Sequence, residues 1–467
     1  MRWKFWRGSK SRSPITIHGR YDAAQTTHEN SRHWSMADDR SADAANTEEV
    51  RRRLRNRARY ETANNSYCHG VVLTLAGDCI GTGPRLQMAE RNDERIRRLE
   101  SEFIRWSKAI GLTEKLRTMR MAKVTDGESF AVLTSNPGVN HPVKLDVIPV
   151  EADRVTTPFT MDIHQTDGLE FDAHGNVTAY HLLKEHPGDE STLGEHSIRI
   201  PAKYMIHWYR SDRPEQHRGI PELTPALPLF AQLRRYTLAV IAAAETAADF
   251  AAVIYTDAPA NGEAVPANPF ETVELEKRLA TTLPDGWKLG QLKAEQPTTN
   301  YSQFKREILG EIGRSLQVPI NVIAGDSSQH NYASGRLDHQ MYHRAIALEQ
   351  EHCANVVLDH IFRLWLPEYM LIGSTPEVDE VYTHRHVWYW DGFEHVDPVK
   401  ESSAQGQRLA NRTTTLKSEY ARQGIDWEDA LEQLAAERRK LEELGLAGDP
   451  ESHGRTEEPE QDGDEDE

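Results

Sequence analysis

The sequence predicts an α+β, helix-dominated chain assembled from several units. Two observations carry this. Helical periodicity runs over about 221–249, 301–317 and 335–370, and between Phe130 and Trp208 it gives way to short alternating segments separated by turn-forming residues. A third observation bounds the class: no apolar run reaches the roughly 18 residues of a membrane span, and the richest stretch, Leu238 to Val253, is mostly alanine with Glu245 and Asp249 inside it.

The 467 residues carry a net charge of -18. That balance opposes a protein coating itself in nucleic acid, because phosphate binding needs Lys and Arg to displace counterions. It does not oppose a conduit, where every tightly held phosphate would brake sliding. Cys68, Cys79 and Cys353 are too few and too scattered for a disulfide framework or zinc cluster, so a reducing compartment is expected. Met1 to Arg20 lacks the apolar centre of a secretory signal.

Residues 1–45 have little periodicity and read as an arm. Glu48 to Tyr67 is helix-compatible and carries Arg51, Arg52, Arg53, Arg55, Arg57 and Arg59. Two readings stand side by side: a solvated face paired with acidic neighbours, and a nucleic-acid patch. Val71 to Ile80 is a short apolar run ending in Gly81-Thr82-Gly83-Pro84, whose spacing fits neither a dinucleotide fingerprint nor a P-loop. Arg91 to Leu112 predicts an amphipathic helix with Ile96, Leu99, Phe103, Trp106 and Ile110 on one stripe.

Strands follow around Phe130, Lys144–Val150, Val177–Leu183 and Tyr204–Trp208, with antiparallel pairing as the default. A long helix spans about Pro221 to Asp249, with Pro225 and Pro228 delaying its first clean turn. After it come a strand at Phe250–Tyr255, a loop at Asn261–Asn268, a helix at Phe270–Thr282 and a strand at Trp287–Lys293. Tyr301 to Gln317 is again helical until Pro319 stops it. Ile320 to Ser334 reads as a polar loop, Gly335 to Met370 as the longest helix, and Asp397 to Leu446 as helices broken at Gly406 and Gly424. The residues after Pro450 are acidic and poor in hydrophobics, a composition of disorder.

No catalytic constellation emerges, and no cofactor or metal is expected. His384 and His386 would share a strand face, with His395 nearby, but no carboxylate or cysteine stands at ligand spacing, so polar surface is favoured over a zinc hydrolase. His339 and His343 are four apart on the long helix without the glutamate of a metalloprotease motif, since 340–342 reads Gln-Met-Tyr.

Several phrases in order give the chain a family resemblance: Asn64-Asn-Ser-Tyr-Cys-His-Gly70, Asp126-Gly-Glu-Ser-Phe130, Leu145 to Arg154, Gly168 to Tyr180, Arg213-Pro-Glu-Gln-His-Arg-Gly-Ile-Pro221, Val318 to Asp326, Asn331 to Arg336, and Gly424-Ile-Asp-Trp-Glu-Asp429. Together the chain resembles the lambda-like family of phage portal proteins over nearly its whole length. The resemblance implies a non-enzymatic ring subunit with an arm (1–45), a wing (46–219), a stem helix (220–249), an αβ clip (250–300), a second stem helix (301–317), a channel loop (318–334), a long helix returning to the wing (335–396), a helical crown (397–446) and an acidic tail (447–467).

It further implies twelve copies at one capsid vertex of the virion, assembled in the bacterial host cytoplasm, with double-stranded DNA passing through. Terminase large subunit, major capsid protein and head–tail connector proteins would be partners, and no membrane is involved. Arg234, Arg235, Lys305 and Arg306 on the stem helices are then candidates to meet phosphate, and Asn331, Tyr332 and Arg336 to line or brace the loop; inter-subunit salt bridges and loop caps are the competing roles. An oligomeric capsid scaffold or adaptor without DNA contact is the alternative function.

Overall fold

A computed structural model describes residues 24, 27–28, 30–88, 94–157, 165–189, 197–249, 253–256, 287–290, 301–328, 332–372, 386–392 and 398–446. After a single helical turn, α1 (Ala42–Ala45), the arginine segment forms α2 (Glu48–Asn64). Asn65 ends it and starts the next helix at once: its side-chain oxygen accepts from the amides of Tyr67 and Cys68, capping α3 (Ser66–Ile80). The apolar run Val71 to Ile80 is thus the body of a helix. It lacks a helical stripe in the sequence because α3 is apolar on most sides and is buried at Val71, Val72, Leu75, Ala76, Cys79 and Ile80.

Strand β1 (Arg85–Met88) leads to α4 (Glu94–Ala109) and α5 (Leu112–Asp126). The stripe of α4 is where the spacing places it, with Ile96, Leu99, Phe103, Trp106 and Ile110 all buried. Helix α5 has no amphipathic signal, because both its apolar and its charged residues are buried, Arg120, Lys123 and Asp126 included.

Two antiparallel sheets follow. The first has β2 (Glu128–Ser135) between β3 (Leu145–Val150) and β8 (Met205–Tyr209). The second runs in order through β4 (Gln165–Thr166), β5 (Leu169–Phe171), β6 (Val177–Leu183) and β7 (Ser197–Pro201). Phe130, Val155, Leu169, Tyr180, Leu182 and Met205 fill the space between them.

Helix α6 covers Leu227–Asp249, several residues later than Pro221, as the prolines dictate. Strands β9 (Val253–Thr256) and β10 (Trp287–Gly290) pair antiparallel beyond it; the expected loop at Asn261–Asn268 and helix at Phe270–Thr282 lie outside the described residues. Helix α7 (Tyr301–Leu316) returns. The stretch expected as a plain loop at 318–334 holds a short helix, α8 (Ile320–Ala324), because Pro319 is tolerated just ahead of a helical start while it stops the preceding helix. Tyr332 already opens α9 (Tyr332–Cys353), which continues through a π-helical turn, Ala354–Leu358, into α10 (Asp359–Ile372).

Strand β11 (His386–Tyr389) comes back to pair with β1. Last come α11 (Pro398–Ala410), α12 (Leu416–Arg422) and α13 (Trp427–Glu443). Gly406 does not break its helix; the break falls at Asn411–Thr414, where Arg412 has a φ of 57°, whereas Gly424 with a φ of 70° does mark a turn.

Two larger cores serve the helices. One joins α4, α5, the first sheet and α10 around Phe103, Trp106, Phe362, Trp365 and Trp388, with Phe103 and Trp365 edge to face at 5.1 Å. The other joins α2, α3, α7 and α9 to the start of α6 through Val72, Leu75, Phe230, Leu233, Leu309, Ile312 and Ile346.

A buried charge network links these layers. Glu128, fully buried, accepts from Arg218 (2.6 and 2.8 Å), Arg55 (3.3 Å), His207 (3.2 Å) and the Gly219 amide (3.0 Å). Burial alone would raise this carboxyl, but the Arg218 charge and the hydrogen bonds from His207 and Arg218 hold it well below the ordinary range. Arg51 and Arg55 are likewise buried, and Arg59 lies bidentate on Asp126 at 2.7 and 2.8 Å. The arginine helix is therefore paired with acids as one reading has it, but three of its arginines are paired inside the protein and not on a solvated face.

Replacing Glu128 with Ala leaves the buried Arg218 guanidinium without its carboxylate and Arg55 with Asp153 alone, and a loss of about 3–5 kcal/mol is expected, measurable by chemical denaturation. The pH dependence follows. A depressed carboxyl contributes stability that is complete above its unfolded value, about 4.3 for Glu, and lost as pH falls through the lower folded value. Asp153, held down by Arg55 and Arg59 against its burial, acts in the same sense; Asp126, which burial raises, acts in the opposite one. Melting temperature should fall as the medium is acidified below that value, and less steeply in Glu128→Gln.

Candidate channel elements

Helices α6 and α7 pack side by side. The start of α6 shares a core with the end of α7 through Phe230, Leu233, Leu309 and Ile312, while further along Tyr236 meets Phe304 at 4.9 Å and Tyr301 at 5.7 Å. The two helices therefore run antiparallel, and the Tyr301 hydroxyl donates to Thr237 Oγ1 at 3.2 Å. With 23 residues at 1.5 Å each, α6 is a rod of about 35 Å.

The candidate residues divide by their surroundings. Arg234 turns to α2, its guanidinium 5.6 Å from the centre of the Tyr60 ring and 3.4 Å from the Tyr60 hydroxyl. Lys305 turns to α3, its ammonium 4.8 Å over Tyr67 and 5.8 Å over Tyr301. Both are cation–π contacts. Arg235 is exposed on the face of α6 that carries Gln232 and Leu238. Arg306 is half-buried and Arg336 exposed, neither with an ion pair among the described residues. Asn331 lies outside the described residues, and so does the side chain of Tyr332 at the head of α9.

Sequence reasoning marks the phrase Arg213 to Pro221 but misses the contacts by which it seats α6. In the phrase Arg213 to Pro221, Gln216 accepts from the amides of Asp212 and Arg213 at 3.0 and 3.2 Å and donates to the Arg218 carbonyl at 2.8 Å. His217 reaches Asp43 of α1 at 2.7 Å. Gly219 crosses the Gly127 backbone so closely that a β-carbon on it would sit 2.1 Å from the Gly127 carbonyl oxygen. Just after it Glu222 takes both ends of the Arg120 guanidinium at 3.0 Å, and Lys123 bridges Glu349 on α9. Burial pushes the Lys123 ammonium down against the pull of Glu349 and Glu222. Single-residue spacing carries no signal for such long-range partners.

Two of the histidines weighed as ligands make polar contacts of another kind. His386 and the Trp388 indole both contact Oδ1 of Asp359, at 2.9 and 2.8 Å, and His339 contacts Asn321 at 2.9 Å; His384 and His395 lie outside the described residues. Glu151, Asp153 and His186 bring ligand atoms within 4.8 Å of one another. Asp153, however, already pairs with Arg55 at 3.1 Å and Arg59 at 2.7 Å, and two guanidinium charges oppose a cation there. The three thiols are buried; burial pushes Cys68 up to about 11 and Cys79 up to about 12, so neither is a ready thiolate.

A curated relative described as a probable portal protein, from Halomonas phage phiHAP-1, is 24% identical over 428 residues, covering 84% of this chain and 81% of the relative. Among solved structures, the chain is similar to one from the virion of a native gene transfer agent particle (TM-score 0.45, 16% identity, 79% of this chain and 92% of that one). It is also similar to one from the neck of an empty particle of the same kind (TM-score 0.44, 17% identity, the same coverage). Residues 27–350 match the family model described as phage portal protein, lambda family. That span takes in the arginine helix, both sheets, the Arg213–Pro221 junction, α6, α7 and nearly all of α9, and the chain belongs to the lambda family of phage portal proteins.

Proposed function

We propose that the chain is the subunit of a ring, of twelve copies, at one vertex of the capsid, through which double-stranded DNA is packaged and later ejected. The observation that carries this is the family match across residues 27–350. The arrangement of the chain supports it: an antiparallel pair of helices, α6 and α7, rises from a layered base, and β9 and β10 continue between them. In this reading residues 46–219 are the wing, α6 and α7 the stem, 250–300 the clip, 318–334 the channel loop and 397–446 the crown. Terminase, the major capsid protein and head–tail connector proteins dock on the ring, which is assembled in the host cytoplasm.

The mechanism is a conduit that touches phosphates without reading bases. Arg235, Arg306 and Arg336 are the cations with room to reach a duplex, while Arg234 and Lys305, seated over tyrosines, hold the stem to α2 and α3 as well. Asn331 and Tyr332 brace the loop. A strongly acidic chain keeps the bore from gripping the duplex, since like charge opposes stalling.

Negative-stain electron microscopy of the purified protein is expected to show rings with a bore wide enough for a duplex; closed rings would favour a scaffold without DNA contact. Arg336→Glu, and the double change Arg235→Glu with Arg306→Glu, should leave rings assembled and reduce the DNA packaged per particle. Undiminished packaging in both variants would remove these residues from the channel.

A further inference from the structure

Residues 399–446 form three helices with almost no interior. Only Glu419 and Gly424 are buried among them, and none of these residues joins the hydrophobic clusters that hold the rest of the chain. Polar contacts tie the stretch down: Arg85 donates to the Gly424 carbonyl at 2.7 Å, Arg97 pairs with Glu432 at 2.9 Å, and Arg408 bridges Glu401 and Glu419. A unit this small with no core of its own needs apolar cover from elsewhere.

Helix α13 shows the form of that cover. Trp427, Leu431, Leu434, Arg438 and Leu441 are four, three, four and three apart, so all five lie within about 80° of arc. So narrow a seam suits a helix meeting a second helix, whereas a helix packed on a globular core carries a broader stripe. Leu431, Leu434 and Leu441 are exposed, and no residue of α13 is buried.

Helix α11 carries a face of the opposite shape. Val399, Ser403, Gly406 and Ala410, four, three and four apart, lie within about 60° of arc, and all four are exposed. Glycine inside a helix is destabilising relative to alanine, and a β-carbon on Gly406 would meet nothing within 4 Å. Its own chain does not crowd this position; close approach by a second backbone accounts for the glycine.

We propose that the leucine seam of α13 on one copy packs into the small-residue face of α11 on the next copy, joining neighbouring subunits head to tail. That the occupant is a second copy rests on the ring reading above, while the match of shape stands apart from it. Large side chains facing small ones interdigitate without voids. Two different faces on one chain make a heterologous contact, the kind that closes into a ring. Two copies of α13 side by side in the same direction would instead set the two Arg438 guanidiniums against each other.

Cross-linking reads the pairing directly, because the native thiols Cys68, Cys79 and Cys353 are buried. Full-length Ser403→Cys and Leu434→Cys, assembled together and treated with a short bismaleimide, should give a covalent dimer that neither variant gives alone. The double variant should give a ladder of multimers. Ser403→Cys with Ala436→Cys, whose second position is exposed on the opposite side of α13, should give none. Leu434→Ser with Leu441→Ser should raise the protein concentration needed for rings at least about tenfold, at an unchanged melting temperature of the unassembled chain.

Rings that form without the Ser403–Leu434 cross-link overturn the pairing and leave the portal reading standing. A dimer from Leu434→Cys alone overturns it too, by assigning the seam to α13 of the second copy, and so does a link confined to one chain in the double variant. Unchanged assembly of the Leu434→Ser, Leu441→Ser variant also overturns it. If the parent forms no rings the portal reading fails, while the same cross-link in the concentrated, unassembled chain still decides the pairing.

Discussion

The carboxylate of Glu128 holds together parts that nothing else joins so directly. It begins the central strand of the first sheet, takes Arg55 from α2 and His207 from the neighbouring strand, and fixes Arg218 and Gly219 immediately before the chain turns into α6. A buried ion pair of this kind contributes little net stability against an apolar replacement. Its effect is on geometry: with five donors converging, only one placement of α2, the sheet and the root of α6 satisfies every charge at once. Gly127 and Gly219, whose backbones cross beside it, make that placement sterically possible. The direction in which the α6–α7 rod leaves the base is set here.

The same network explains why an arginine-rich helix belongs to an acidic protein. Half of its cations are internal counter-charges, and they would be counted wrongly if charge were read along the sequence without helical phase. Arg51, Arg55 and Arg59 lie four residues apart and turn to Asp167, Glu128, Asp153 and Asp126; the intervening arginines do not. Arg234 and Lys305 are a milder case, charged groups partly occupied by tyrosine faces that belong to helices remote in sequence.

What was legible in the sequence follows the same division. The stripe of α4, the antiparallel strands, the paired rods and the long helix all announce themselves through local periodicity. Helices α3 and α5 do not, because burial on most sides erases amphipathic contrast, and α8 hides behind a proline that both stops one helix and precedes another. The family phrases locate the Arg213–Pro221 junction without explaining it; the explanation needs Glu128 and Gly127, some ninety residues earlier. For the channel candidates, periodicity places Arg234, Arg235, Lys305 and Arg306 on rods, but only tertiary contact separates those lying over tyrosines from those left open.

The π-helical turn at Ala354–Leu358 bears on how such a chain changes length over evolution. Before it, Tyr342 and Ile346 face the core around α3; after it, Ile361, Phe362 and Trp365 face the aromatic core around α4. A wide turn accommodates one residue beyond the α-helical repeat while the rod stays continuous. One helix can thereby serve two cores whose demands are out of phase. Insertions and deletions elsewhere along α9 and α10 would rotate one buried face out of place by about 100° per residue, so relatives that differ in length should accommodate the difference at this turn or outside the rod.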